Sequence, residues 1–327
     1  MKAVIITRPG GTEVLELEDR PLPQPGVSEI RVRVRASALN RADILQRRGN
    51  YPVPPGAPAD IAGIEYAGEV DALGEGATLW KTGDRVMGIV GGGGHAEYVI
   101  VHEREAIRAP KAMSWEDAAA IPEAFLTAYD ALFARLNLRP GETLLIHAVG
   151  SGVGTAALQL AKNIDARVIG TARSPEKLTR AQQLGLDVAV DASRGEWAAE
   201  VQKVAGPDAV SAVLDLVGGN YLEGNLRVLA TKGRIVVVGL TAGAIAPMNM
   251  GILLRKRATM IGTVLRARPL EEKTALAREF SDRIVPFFEN GRLKPIVDRV
   301  FSFGEIRAAH QLMEADRNFG KIVLTWG

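Results

Sequence analysis

The chain has 327 residues, 47% of them apolar, with 40 Lys and Arg against 38 Asp and Glu and no cysteine. That length exceeds one ordinary core and suits two domains, and the apolar share leaves no case for disorder. A net charge of +2 spread along the chain argues against nucleic acid or an anionic membrane as the main partner, and the lack of cysteine removes disulfides, thiolate nucleophiles and the usual structural zinc sites.

No run approaches the roughly 18 apolar residues of a membrane span, so no transmembrane helix is expected. The opening MKAVIITRPGG reads as a strand ending in a turn, not as a signal peptide. A cytoplasmic enzyme or binding protein is the expectation.

Residues 1–120 read as mostly β. Short strands are expected over 2–7, 29–36, 65–72, 85–88 and 96–102, separated by Gly- and Pro-rich punctuation. The segments PLPQPG and YPVPPGAP cannot be helix interiors, because proline lacks the N–H and clashes with the preceding turn. One short helix fits 41–48, and the glycines of 91–94 form a flexible turn before His95.

From about Trp115 the pattern changes. Ser114 followed by Glu116 and Asp117 marks a capped helix start, and the helical pattern continues with one break at Pro122. Then comes ETLLIHAVGSGVGTAALQLAK, residues 142–162: an apolar strand over 142–148, the glycines Gly150, Gly152 and Gly154, and a helix over 155–162. Glycines let a backbone turn sharply and approach a pyrophosphate, and a helix N-terminus offers unpaired N–H groups and the positive end of its dipole. Gly150 and Gly152 match the first two glycines of the G-x-G-x-x-G fingerprint. Thr155 stands where the third would be, so close helix–strand contact falls to Gly154.

Strands and helices alternate after this turn. Strands are expected at 167–172, 188–191, 210–216, 234–240 and 260–265, and helices at 175–184, 195–204 and 220–229. With the strand before the glycines this makes a parallel, doubly wound sheet of roughly six strands. A long helix over 270–289 follows, and the tail IVDRVFSFGEI…KIVLTW returns to β character. It reads as rejoining the N-terminal part, with the nucleotide domain as an insert: an α/β chain divided 1–121, 122–265 and 266–327.

The second strand of the insert ends in GTARS. An NAD site usually carries Asp or Glu there for the ribose 2′-OH, and none precedes Glu176. Arg173, Ser174 and Lys177 instead offer donors and positive charge at a helix start, which suits a 2′-phosphate. The cofactor is therefore read as NADPH.

The loop HAVGSGVGTAALQLAK, the segment SALNRADILQRRGNYPVPPG, the PEAFLTA stretch and the ending FGKIVLTW resemble the medium-chain dehydrogenase/reductase superfamily. More narrowly, they resemble its zinc-free, zeta-crystallin-like quinone oxidoreductases, in particular the tumour-suppressor-inducible branch. The likeness spans nearly the whole chain. It implies a GroES-like, mostly β catalytic domain wrapped around a Rossmann insert, a homodimer, and NADPH-dependent reduction of quinones by one or two electrons. It also implies roles by position. Asn40 and Thr127 would lie near the nicotinamide, and Lys321 near its ribose. The backbone of Gly152, Val153 and Gly154 would hold the pyrophosphate, Lys177 would meet the 2′-phosphate, and Gly239 and Leu240 would border the dinucleotide. One departure is Ala192, where many relatives carry Tyr; Arg194 is the neighbouring charge.

Alcohol dehydrogenases of this superfamily hold zinc with Cys, His and Cys. Here the first position corresponds to Asn40 and the His position to Ile64, while His95, His102, His147 and His310 form no ligand-like set, so no metal is expected. Without a Lewis acid nothing would stabilise an alkoxide, which leaves quinones and activated alkenes as acceptors.

Tyr51, after Gly49-Asn50 and before Pro52, could donate a proton or hydrogen bond to the reduced acceptor, as a Tyr in this place does in related enoyl reductases; it could also be a loop aromatic covering the site. Ser151 could bond a phosphate or the substrate, or be a structural hydroxyl of the turn. His147 reads best as a satisfied core histidine. Glu65 and Glu123 read as partners of a buried Arg or Lys, and Arg266 and Arg268 as lining the rim of the cleft or solvated. The expected function is a zinc-independent NADPH:quinone oxidoreductase. The alternatives are a 2-alkenal or enoyl-thioester reductase and a non-catalytic NADPH-binding protein.

Overall fold

The computed structural model describes residues 1–326. The chain forms two compact units: Met1–Leu126 with Leu265–Gly327, and Thr127–Val264.

The first unit is built on the eleven-residue strand Glu29–Leu39. Ile30, Val32 and Val34 alternate inward, as a half-buried strand requires. Shifts of register against Glu65–Leu73, at Arg31/Val32 and Val34/Ala36, bend the long strand so that it serves three partners. It pairs antiparallel with Glu65–Leu73, Tyr98–His102 and Lys321–Thr325. Strand Val297–Ser302 adds in parallel to Lys321–Thr325. On the other side Arg85–Ile89 and then Ile107–Arg108 extend the seven-stranded sheet. The tail thus rejoins the N-terminal sheet. One core gathers Ile30, Val32, Tyr66, Val70, Val86 and Val99. A second gathers Val4, Leu39, Ile44, Phe303, Ile306 and Ile322.

The second unit is a six-stranded parallel sheet in the order Val188–Asp191, Arg167–Ala172, Thr143–Ile146, Val210–Asp215, Leu229–Val237, Thr259–Gly262. Numbered along this unit, that is 3-2-1-4-5-6, the doubly wound order. The order of succession reverses between Thr143–Ile146 and Val210–Asp215, which are parallel, hydrogen-bonded neighbours. Ligands of such sheets bind beyond the strand ends at that point.

Several elements differ from the sequence reading. The helix expected from 155 starts at Gly152, because Ser151 caps it and glycines do not prevent helix when the first turn is held. The expected helix 270–289 is two, Leu270–Arg283 and Val285–Glu289, since Pro286 has no N–H to continue the ladder. The strand expected at 234–240 runs from Leu229 to Val237. Beyond it Val238 N and Gly239 N both donate to the Asp215 carbonyl, at 2.9 and 3.3 Å, and a Cβ at Gly239 would lie 2.5 Å from the Leu216 carbonyl oxygen. Strand Leu15–Asp19, paired antiparallel with Lys2–Ile6, and helix Met250–Lys256 are additions. Among the described residues no helix is long and apolar enough to cross a membrane.

Candidate functional site

In the second unit the first strand runs into a tight turn. Ala148 takes a left-handed φ of +50°, and its carbonyl accepts from Ser151 N at 2.9 Å. Ser151 Oγ then accepts from Gly154 N at 3.0 Å, capping the eleven-residue helix Gly152–Lys162. A Cβ at Gly154 would lie 2.5 Å from the Ala148 carbonyl oxygen and 2.7 Å from that of Val149, so only glycine lets the helix start this close to the turn. Gly150 precedes the cap; Gly152 and Val153 are half-buried in the first turn, whose N–H groups and dipole make a ready anion site.

The second strand delivers a similar start. Ser174 caps the helix Pro175–Gln183, its Oγ accepting from Lys177 N at 3.4 Å. Arg173 is exposed and Lys177 half-buried beside this cap. Gly239 is half-buried and Leu240 exposed, just past the strand Leu229–Val237. Thr127, at 6% exposure, buries its hydroxyl without a hydrogen-bond partner on helix Pro122–Tyr129.

Behind the glycine turn lies a buried chain that sequence reading missed. His147 is satisfied at both ring nitrogens, Nδ1 with Thr171 Oγ1 at 2.8 Å and Nε2 with Asn225 Oδ1 at 2.6 Å. Asn225 Nδ2 donates to Asp215 Oδ2 at 2.9 Å, and Asp215 Oδ1 accepts from the backbone of Val217 and Gly218, both at 2.8 Å. The chain ties the ends of the two strands at the reversal point to each other. Burial holds the His147 pKa below its ordinary value. His147 is thus the core histidine expected. Asp215 and Asn225, ten residues apart across a strand and a helix, carried no local signal.

In the first unit the structure brings Asn40 and Lys321 together through Glu65. Lys321 Nζ lies 2.7 Å from Glu65 Oε1 and 2.6 Å from Asn40 Oδ1, and Asn40 Nδ2 donates to the same Glu65 oxygen at 2.7 Å. The other Glu65 oxygen accepts from Glu123 N at 2.8 Å. The carboxylate is wholly buried and its charge is balanced by the ammonium, as burial of either demands. Asp43, also buried, accepts from Asn40 N at 2.7 Å and Gly63 N at 3.0 Å, which fixes the approach of this corner.

Tyr51 is half-buried and carries the Arg266 guanidinium over its ring, 4.9 Å from the centroid. Burial, aided by the negative charge of Glu123 and opposed by Arg266, raises the pKa of its phenol. Arg266 is 4% exposed, neither at a rim nor solvated.

Residues 26–111 match the alcohol dehydrogenase GroES-like domain, and residues 152–281 match the zinc-binding dehydrogenase family. A quinone oxidoreductase of Pseudomonas aeruginosa is 35% identical over 320 residues, covering 96% of this chain and 96% of that protein. The chain belongs to the medium-chain dehydrogenase/reductase superfamily. It is an oxidoreductase of that superfamily, whose members use a nicotinamide cofactor. The crystal structure of an NAD-dependent alcohol dehydrogenase superposes with a TM-score of 0.88 at 35% identity, covering 100% of both chains. The CurK enoyl reductase superposes at 0.87 and 29% identity, covering 99% of this chain and 98% of that one.

Medium-chain dehydrogenases named for zinc raise the question of a metal here. The residues do not fit one. Asn40 points its amide N–H at Glu65, Ile64 is an apolar core residue, and the Lys321 ammonium pairs with the Glu65 carboxylate. Among the described residues no group of three or more His, Cys, Asp or Glu could hold a metal ion.

Proposed function

We propose that this medium-chain reductase is a zinc-independent, NADPH-dependent quinone oxidoreductase. The observation that carries the reading is the Lys321–Glu65–Asn40 cluster, where a buried ammonium rather than a set of metal ligands neutralises the carboxylate. An alkoxide would have no Lewis acid there, whereas a quinone delocalises incoming negative charge over its own ring.

When bound, the dihydronicotinamide supplies the hydride. The backbone of Gly150, Gly152, Val153 and Gly154 would receive the pyrophosphate, and Arg173, Ser174 and Lys177 the 2′-phosphate. Gly239 and Leu240 would border the dinucleotide. Asn40, Thr127 and Lys321 would orient the nicotinamide and its ribose: Thr127 has a buried hydroxyl to offer, and Lys321 an ammonium fixed by Glu65. Ser151 Oγ accepts from Gly154 N and keeps its proton to donate to a phosphate or to the acceptor. Tyr51 would deliver the proton that completes reduction. The balance is NADPH plus quinone plus a proton giving NADP⁺ plus hydroquinone.

A second reading, reduction of 2-alkenals or enoyl thioesters, is favoured by Tyr51, placed against a cation, and by the likeness to an enoyl reductase. A protein that binds NADPH without turning it over is the third. Oxidation of NADPH and NADH against panels of quinones and 2-alkenals separates them: the proposal expects quinone-dependent, NADPH-selective turnover. Alkenal-only turnover would select the second reading, and tight binding without turnover the third.

The same reading carries a homodimer. Strand Thr259–Gly262 is an edge of its sheet, Met260 on it is 42% exposed, and Leu254 on the helix before it is 76% exposed. An open edge flanked by apolar side chains suits pairing with a second copy across a two-fold axis.

A further inference from the structure

Arg266 stands out among the buried cations of its unit. Lys321 is paired with Glu65, and the wholly buried Arg47 with Glu314, Gly10 O and His310. Arg266 has only neutral hydrogen-bond partners, and the carboxylates of Asp43 and Glu123 act on it through space without bonding it. Its Nε donates to the Gly91 carbonyl at 2.8 Å and its Nη2 to Gln46 Oε1 at 2.7 Å. Gln46 is held in that orientation by donating its own Nε2 to Ala59 O at 3.2 Å. Nη1 is buried and makes no hydrogen bond.

A guanidinium keeps its charge even when buried, and burying a charge without an anion hydrogen-bonded to it is costly. Two neutral acceptors and a tyrosine ring aim this fork and leave one nitrogen unused. That is the arrangement of a preorganised donor whose anion arises during the reaction. The residue beside it is Tyr51, the candidate proton donor. Gly49 (φ +76°) and Gly56 (φ +85°) bracket the segment carrying Tyr51, both in the left-handed conformation that glycine adopts most readily.

We propose that Arg266 is an oxyanion-binding residue: its Nη1 hydrogen-bonds the acceptor oxygen that takes negative charge as hydride arrives. This rests on the reading of the protein as a carbonyl-acceptor reductase. The hydride brings two electrons to the acceptor, the C=O π pair moves onto oxygen, and Arg266 holds that oxygen. Tyr51 then gives its proton to the oxyanion of a quinol, or to the carbon of an enolate, and is reprotonated from water. Arg266 therefore selects acceptors with a carbonyl conjugated to the reducible bond.

The test uses the full protein saturated with NADP⁺ and 4-nitrophenol as probe, whose coloured phenolate resembles the oxygen anion of a reduced quinone. In the native protein the bound phenol should ionise about one pH unit or more below its solution value, because an adjacent cation favours the charged form. In Arg266→Gln it should ionise at or above the solution value. Arg266→Lys, which keeps the charge without the fork, should recover part of the shift and guards against a variant that fails to fold. In turnover, Arg266→Gln should lose roughly 10²- to 10³-fold in kcat toward quinones with the KM for NADPH within about twofold. No binding or no shift in the native protein overturns the proposal, as does a shift that survives Arg266→Gln. An Arg266-dependent shift in a protein that reduces neither quinones nor alkenals upholds the oxyanion site and overturns the proposed function instead.

Discussion

Tyr51 is where local chemistry makes its sharpest statement. Burial raises its pKa, so the hydroxyl retains its proton throughout the neutral range and loses it only above the ordinary phenol value of about 10. A donor must be protonated to act, so the rate should stay flat through neutrality and fall only in strong alkali. Tyr51→Phe should lower kcat by about 10²-fold or more, remove that alkaline limb, and leave NADPH binding unchanged. A pH–rate profile that falls near neutrality instead would point to a histidine. Lys177→Glu belongs to the cofactor: losing one charge-assisted hydrogen bond should cut kcat/KM for NADPH by roughly 10- to 100-fold and change NADH by less than about threefold. Equal losses with both would show that Lys177 does not meet the 2′-phosphate. At this scale sequence showed which residues were candidates and not how they meet. Asn40 and Lys321, 281 positions apart, were brought forward by resemblance alone, and the carboxylate joining them was read only as a residue awaiting a partner. The unpaired nitrogen of Arg266 depends on Gly91 and Gln46, which no spacing links to it.

At the scale of elements, the glycine turn was legible because its physics is local. Turn, cap and helix start lie within a dozen residues, and the assignment of close contact to Gly154 rather than Thr155 agrees with the two carbonyls that a Cβ would strike. Gly154→Ala should destabilise the protein by about 1–3 kcal/mol and weaken dinucleotide binding, read by urea unfolding and by NADPH titration. An unchanged midpoint would mean that the helix can back away from the turn. Elements whose identity depends on a partner were harder. Leu15–Asp19, sequence LELED, has only two apolar residues and becomes a strand because Lys2–Ile6 lies alongside. Helix Met250–Lys256 buries no side chain fully, so it shows no apolar stripe to read. The central parallel strands Thr143–Ile146, Arg167–Ala172 and Val210–Asp215, mostly buried, announced themselves as apolar runs, and their alternation with helices pointed to right-handed crossovers.

For the whole molecule, three of the four histidines are buried, and burial lowers the pKa of each: His95 and His310 in the first unit and His147 in the second. Lowered values mean that the unfolded chain binds protons first as pH falls. Stability from this source is therefore intact above about pH 6.5 and is lost below it, by up to about 1.4 kcal/mol per pH unit per histidine. Denaturation midpoints should drop between pH 7.5 and 5.5, before carboxylates begin to titrate; a flat profile would show that these rings bind protons equally well when folded. The open edge Thr259–Gly262 makes the second prediction at this scale. Sedimentation should give twice the 35.0 kDa chain mass, and Met260→Lys should shift it toward the monomer. A native protein that sediments only as monomer would rule out the edge as an interface.

All of these rest on one reaction, and it can be watched directly through the absorbance of the dihydronicotinamide while para- and ortho-quinones are added to the native protein. NADPH should be consumed in proportion to the quinone supplied, faster than NADH by at least about tenfold, and without any added metal. NADPH oxidation independent of quinone, or none at all with the cofactor demonstrably bound, would contradict the assignment.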